Sequence, residues 1–221
     1  IAEVASKAFM DKFGGEITVS GGGSGTGIAE CINGTNDIGE ASRQIKDKEV
    51  AQAEEAGIDI EEVVVAYDAL SVIISENVEG IEDITIQQLS DIFRGETTNW
   101  SEVGGPDAEI VLAGRDSNSG TYGYFLERVV QIDEEYEDYE FTPMALALAS
   151  NAEVVDTVTT TDNAIGYIGL GYLEEALGKG AQMVSAEGVE PSIETTMDGS
   201  YPISRGLYNY YREGDLSELG Q

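Results

Sequence analysis

The stretch VSGGGSGTGIAEC, Val19 to Cys31, joins a strand-like pattern to a helix-like one through five glycines. Upstream, "EITVS" alternates with the two-residue period of a strand, and downstream "IAECI" carries an apolar helical face that Asn33-Gly34 stops. A helix start presents backbone N–H groups without intrahelical partners and the positive end of the helix dipole, so it favours an anion. Glycine lets a ligand approach the backbone closely, and the Ser24 and Thr26 hydroxyls add donors. The plainer reading is that Ser24-Gly25-Thr26 only caps and turns the chain.

Recurrence moves the balance toward the anion. A second Ser-Gly-Thr, Ser119-Gly120-Thr121, again stands between a strand pattern and a helix pattern, and Arg115 precedes its serine. The chain has six arginines. Arg43 ends the strand-like "DIGEASR", directly after Ser42, and Arg115 ends "EIVLAGR". A guanidinium at the end of a strand, beside a glycine-rich helix start, suits bidentate recognition of an oxyanion. The alternative for each is an ion pair with one of the many carboxylates. Arg94, Arg128, Arg205 and Arg212 have no such setting. Other glycine motifs fail: no G-x-G-x-x-G register fits Gly21 to Gly27, no lysine follows as in a nucleotide P-loop, and no G-x-S-x-G is present.

Around these stretches the pattern reads α-β-α-β-α-β. "IAEVASKAFMDKF" is an amphipathic helix, "KDKEVAQAEEAG" a surface helix ending at Gly57, and "VVVAY" and "LSVIIS" are β-branched runs suited to a buried sheet. That order predicts a mostly parallel sheet with covering helices. A second set follows. Thr85 to Gln88 forms a capping box opening "IQQLSDIFRG", then come the strand "EIVLAG", the helices "GTYGYFLERVV" and "NAEVVDTVTT", and the strand "AIGYIGL". The tail adds "AQMVSAE" and "YPISRGLYNYY" as strand candidates around "SIETTM". The acidic run "DEEYEDYE" reads as a solvated loop.

Composition narrows the function. Asp plus Glu is 43 against 11 Lys plus Arg, a net charge of −32, and there is no His. Nucleic-acid binding is excluded as an expectation, because it depends on basic residues neutralising phosphates. With 41% hydrophobic residues and regular periodicity the chain reads as folded, with a carboxylate-dense surface suited to very salty surroundings. Without His there is no Ser-His-Asp hydrolase, and a lone Cys31 makes neither an internal disulfide nor a zinc site; it reads as a buried core thiol. No run of about 18 apolar residues spans a membrane. No signal-peptide pattern is present either, so any export or anchoring segment is expected outside these residues.

"GGGSGTGIAECINGTNDIGEASR", "AGRDSNSGTYGYF" and "NAIGYIGLGYL", in this order, resemble the phosphate-binding proteins of bacterial and archaeal phosphate ABC importers. The resemblance runs over nearly the whole chain. It implies an α/β, type II periplasmic-binding-protein fold of two α/β lobes, 1–78 with 181–221 and 79–180, with the ligand closed between them. The crossings would lie near "SVIISENV" and "EEALGKGAQ". The implied function is extracytoplasmic capture of inorganic phosphate and its delivery to a membrane permease, by a monomer that is not an enzyme and needs no cofactor. By the same resemblance Ser24, Arg115, Ser119, Gly120 and Thr121 match family ligand residues, Gly25 and Thr26 add donors, and Ser42-Arg43 contribute. Some members have an aspartate where this chain has Arg43, so the acceptor of the phosphate proton is open, with Asp116 and Asp37 as candidates. The family's first strand and Ser/Thr-rich turn precede the helix in which this chain opens. Two other readings remain: a receptor of the same fold for sulfate, molybdate or tungstate, and an enzyme acting on a phosphorylated substrate, for which no nucleophile–base pair is visible.

Overall fold

The computed structural model describes residues 2–21, 23–132 and 138–214. The chain divides into two compact units, Ile1–Ala66 with Gly206–Gln221, and Tyr67–Arg205. Strands β2 (Ile60–Ile74) and β8 (Ser204–Arg212) each run unbroken past a change of unit.

In the first unit, helix α1 (Ala2–Phe13) forms as expected, but its apolar stripe stays exposed, with Val4 75% and Phe13 65% accessible. "EITVS" is not a strand. It lies between Gly14-Gly15, both at positive φ, and the glycines at 21–23, and among the described residues no backbone ladder pairs with it. Helix α2 (Ser24–Ile32) buries Ile28, Cys31 and Ile32. They pack with Ala41 of β1 (Gly39–Ala41), Ala53 of α3 (Asp47–Ala56) and Tyr210 of β8. Strand β1 pairs antiparallel with β8, Gly39 opposite Tyr210. Buried Cys31 donates its thiol hydrogen to the Tyr210 carbonyl, 3.4 Å away. Two glycines permit the close approach of α2 to β1. A Cβ on Gly27 would stand 2.7 Å from the Glu40 carbonyl oxygen, and one on Gly39 2.4 Å from that of Gly27.

The two β-branched runs form one strand, β2, rather than two. Its first part, Val63 to Val65, is exposed, and the part from Ala69 to Ile74 is buried. In the second unit β2 pairs antiparallel with β6 (Ala164–Gly169) and with β7 (Gln182–Ala186). The parallel pairs are β4 (Val111–Arg115) with β5 (Leu146–Leu148), β4 with β6, and β3 (Asp83–Ile84) with β7. The sheet is therefore mixed, where the alternation of elements predicts a mostly parallel one. A helical crossover joins strands of the same direction, as α6 (Asn151–Thr160) does between β5 and β6, which flank β4 and each run parallel to it, whereas β2 runs against both of its partners in this unit.

Helix α4 (Ile86–Arg94) starts at the expected capping box, with Thr85 Oγ1 accepting from Gln88 N at 3.1 Å and Gln88 Oε1 from Thr85 N at 2.9 Å. Helix α5 (Gly120–Phe125) is short and widens into a π-helical turn over Leu126–Val130. Helix α7 (Leu173–Gly178) precedes β7. "SIETTM" forms helix α8 (Ile193–Met197), because the Ser192 hydroxyl caps it by accepting from Thr195 N at 3.1 Å. Of the acidic run, 133–137 lie outside the described residues, and Asp138 to Glu140 are exposed. The core of this unit includes Phe93, Phe125 and Tyr167, the last two stacked with ring centroids 3.9 Å apart.

Candidate functional site

Each Ser-Gly-Thr does open a helix, and the two are built differently. In the first unit Gly23, at φ 78, turns the chain into α2, and no side chain caps the helix. Ser24, its first residue, points its hydroxyl at the strand that follows: Ser24 Oγ accepts from Ser42 N at 3.0 Å and lies 3.2 Å from Ser42 Oγ. Arg43 follows, and its Nη2 would lie 3.6 Å from a Cβ on Gly25. Ser24, Gly25, Ser42 and Arg43 thus form one neighbourhood, and Thr26 is exposed beside it. Gly25 is helical, with no positive φ, so no left-handed backbone requires a glycine there.

The Arg43 guanidinium is held in a bidentate pair by Glu49, at 2.9 and 2.8 Å, and also donates to the Gln44 carbonyl at 2.9 Å. Glu49 is 7% exposed. Its carboxyl is held below the ordinary value of 4.5, first by the hydrogen bonds from Arg43, against the effect of burial, and further by the Lys46 backbone. Arg43 is therefore the ion pair that its sequence context left open.

In the second unit Ser119 caps α5, its Oγ accepting from Thr121 N at 3.2 Å and Tyr122 N at 3.4 Å. The turn leading to it is tied by Ser119 N donating to the Asp116 carbonyl at 3.0 Å, and Asp116 Oδ1 accepts from Asn118 N at 2.9 Å. Asp116 thus shapes the turn. Asp37 is exposed beyond the end of α2. Gly120 is exposed and Thr121 half-buried at the start of the helix.

Arg115 is held in another manner. Its Nε donates to the Leu148 carbonyl at 3.2 Å, Nη1 to Asn151 Oδ1 at 3.0 Å, and Nη2 to the Ala149 carbonyl at 3.0 Å. None of these acceptors is charged. Its backbone N–H donates to the Tyr167 hydroxyl at 3.3 Å, which ties the end of β4 to the aromatic core. Burial pushes the Tyr167 hydroxyl well above its ordinary pKa, so it stays neutral. A guanidinium has five N–H donors, and with three engaged, one remains on each terminal nitrogen. Two donors on one charged plane can serve two oxygens of a tetrahedral anion.

Three residues escaped sequence reasoning. Glu49 lies among many acidic residues on a surface helix. Tyr167 reads as core. Asn151 reads as the first residue of the helix "NAEVVDTVTT", and its bond to Arg115 spans 36 positions. Among the described residues no group of three or more carboxylates and thiols could hold a metal ion, and no helix is long and apolar enough to cross a membrane.

The profile of the PBP superfamily domain matches residues 1–221. The phosphate-binding protein PstS of Borreliella burgdorferi is 35% identical over 209 residues, which cover 92% of this chain and 72% of the relative. The chain belongs to the PBP superfamily and, within it, to the PstS family. The crystal structure of PstS from Borrelia burgdorferi matches this family member with a TM-score of 0.81 and 32% identity, over 99% of this chain and 84% of that one. A putative phosphate ABC transporter substrate-binding protein from Clostridium perfringens, solved with bound phosphate, matches at 33% identity with a TM-score of 0.61, over the same 99% and 84%. The α/β elements of this PstS-family chain thus carry the periplasmic-binding-protein fold. The chain spans between 64% and 72% of the length of the curated relatives it matches.

Proposed function

We propose that the chain captures inorganic phosphate outside the cytoplasmic membrane, as a monomer and without covalent chemistry, and hands it to the permease of an ABC importer. The observation that carries this reading is Arg115, a guanidinium fixed by uncharged acceptors at the end of β4, four residues before the Ser119 cap. In a chain with 43 carboxylates, an arginine whose hydrogen bonds go to none of them keeps its full charge for a bound anion. Ser119, Gly120 and Thr121 add donors in the same unit, and Ser24, Gly25 and Thr26 at the start of α2, with Ser42 and Arg43 after β1, are the further donors of this reading. The relatives are named for phosphate, which favours phosphate over sulfate, molybdate or tungstate.

The net charge of −32 repels an anion at long range, so the donors must act at short range. Salt reduces that repulsion, because the Debye length falls from about 10 Å at 0.1 M to about 3 Å at 1 M. We infer that the protein works in concentrated salt. Calorimetric titration with phosphate, sulfate and molybdate, each in molar and in dilute salt, tests both readings. The expected result is binding of phosphate ahead of the other two, with loss of folded structure by circular dichroism when salt is removed. Preferential binding of sulfate or molybdate would move the assignment to another oxyanion receptor. Full stability in millimolar salt would end the high-salt reading.

A further inference from the structure

The start of α6 does more than begin a helix. Ser150 caps it, accepting from Glu153 N at 3.1 Å, and the next side chain, Asn151, points its Oδ1 at Arg115 Nη1, 3.0 Å away, and at Gly169 N, 3.4 Å away. The carbonyls of Leu148 and Ala149 complete the collar around the guanidinium. Elsewhere in the molecule Arg43, Arg94 and Arg205 each bond a carboxylate, those of Glu49, Asp91 and Asp68.

We propose that Asn151 is the positioning residue for anion recognition by Arg115: its amide oxygen fixes the guanidinium plane through one N–H and leaves the positive charge uncompensated. The inference rests on the phosphate reading of Arg115. An aspartate at 151 would have nearly the same shape and would accept the same hydrogen bonds. It would also place a full negative charge 3 Å from the guanidinium, where it competes with the incoming anion for the same cation. A purely structural role needs only the acceptor, so it would be satisfied by either residue. The amide and the carboxylate therefore separate the two roles.

The test is phosphate titration of the wild-type chain, Asn151→Asp, Asn151→Ala, and Asn151→Asp combined with Arg115→Gln, with thermal unfolding of each. In Asn151→Asp the melting temperature is expected to hold or rise, while phosphate affinity falls at least tenfold. In Asn151→Ala the affinity falls a few-fold, because the plane is freed but the charge is kept. On the Arg115→Gln background the aspartate should change affinity by less than about twofold, since its effect acts through the arginine. Wild-type affinity in a folded Asn151→Asp overturns the inference and leaves the phosphate reading standing. If Asn151→Asp does not fold, wild-type affinity in Asn151→Ala overturns it. A wild-type chain that takes up no phosphate overturns both, and the wild-type arm alone reports that outcome.

Discussion

Arg43 and Arg115 each end a strand pattern, Arg43 downstream of one Ser-Gly-Thr helix start and Arg115 just ahead of the other, yet their surroundings are opposite. Arg43 is clasped by a buried carboxylate at 2.8 and 2.9 Å; Arg115 is held at 3.0 to 3.2 Å by two carbonyls and an amide. The first arrangement cancels charge and fixes the loop after β1. The second fixes geometry and keeps charge. One motif thus serves two purposes, and the second coordination layer decides which, because a guanidinium is always protonated and only its neighbours can change its net effect.

The largest expected effect tests that contrast directly. Arg115→Ala removes two charge-assisted donors, each worth roughly 1.5–3 kcal/mol, so phosphate affinity should fall by about a hundredfold or more. Arg43→Ala should cost less affinity and more stability. Arg94→Ala should cost no affinity, since Arg94 pairs with Asp91 and lies 4.6 Å over the Tyr139 ring. Calorimetric titration of the three variants side by side decides the matter; equal losses for Arg115 and Arg94 would remove Arg115 from the site.

Next in size is the pair at Arg43. Glu49→Gln leaves the guanidinium without its counter-charge. Breaking a buried pair costs roughly 3–5 kcal/mol, and about 1–3 kcal/mol is expected here because the Arg43 side chain keeps 23% of its exposure. The Glu49 pKa is depressed in the folded state, so its contribution is fully present above the unfolded value, near 4.5, and is lost as pH falls through the lower folded value. Thermal melts of wild type and Glu49→Gln should therefore differ most near neutral pH and converge in acid below that range. A gap in melting temperature that stays constant down to about pH 3 would show that the carboxylate charge has no part in it.

These two arginines also mark what the sequence could tell. For Arg115 the nearness to a Ser-Gly-Thr start was legible because strand end, turn and helix start are consecutive along the chain; Arg43 follows α2 and β1, and the bond from Ser42 N to Ser24 Oγ, 18 positions apart, marks its approach to the other start. Also legible were α4 with its capping box and α6, whose bounds coincide with the run "NAEVVDTVTT". The counter-groups were not legible. Glu49 and Asn151 are ordinary residues on helices, and only the packing of those helices brings them to Arg43 and Arg115. The same limit explains the sheet. Alternation made "EITVS" look like a strand, but a strand exists through a partner, and period alone names none. The β-branched runs at 63–67 and 70–75 carried no sign that they would be one strand, exposed at one end and buried at the other.

Glycines of the opening stretch sharpen the comparison at smaller scale. Gly27 faces backbone: a Cβ there would lie 2.7 Å from the Glu40 carbonyl oxygen, which belongs to β1 and cannot swing aside. Gly27→Ala should therefore force α2 from the strand and destabilise the first unit by about 1–3 kcal/mol. A melting temperature within a degree or so of wild type would mean that the contact relaxes freely.

Gly25 presents the reverse case and the smallest effect on stability. Among the described residues, a Cβ there would meet the end of a flexible side chain, Arg43 Nη2, at the ordinary contact distance of 3.6 Å, and its backbone is helical. Gly25→Ala should leave stability unchanged within about 0.5 kcal/mol, or raise it slightly, because alanine favours a helix over glycine. Phosphate affinity should nevertheless fall several-fold, since the new methyl group stands between an incoming anion and the bare start of α2, and beside the guanidinium. Gly25→Val, whose two further methyl groups crowd Arg43, should lose more. The separation of the two readouts is the test: Gly27 moves stability, and Gly25 moves binding. If Gly25→Val binds phosphate as wild type does while its melting curve is unaltered, the glycines before Ile28 serve only to bring helix and strand together, and capture rests on the Arg115 side alone.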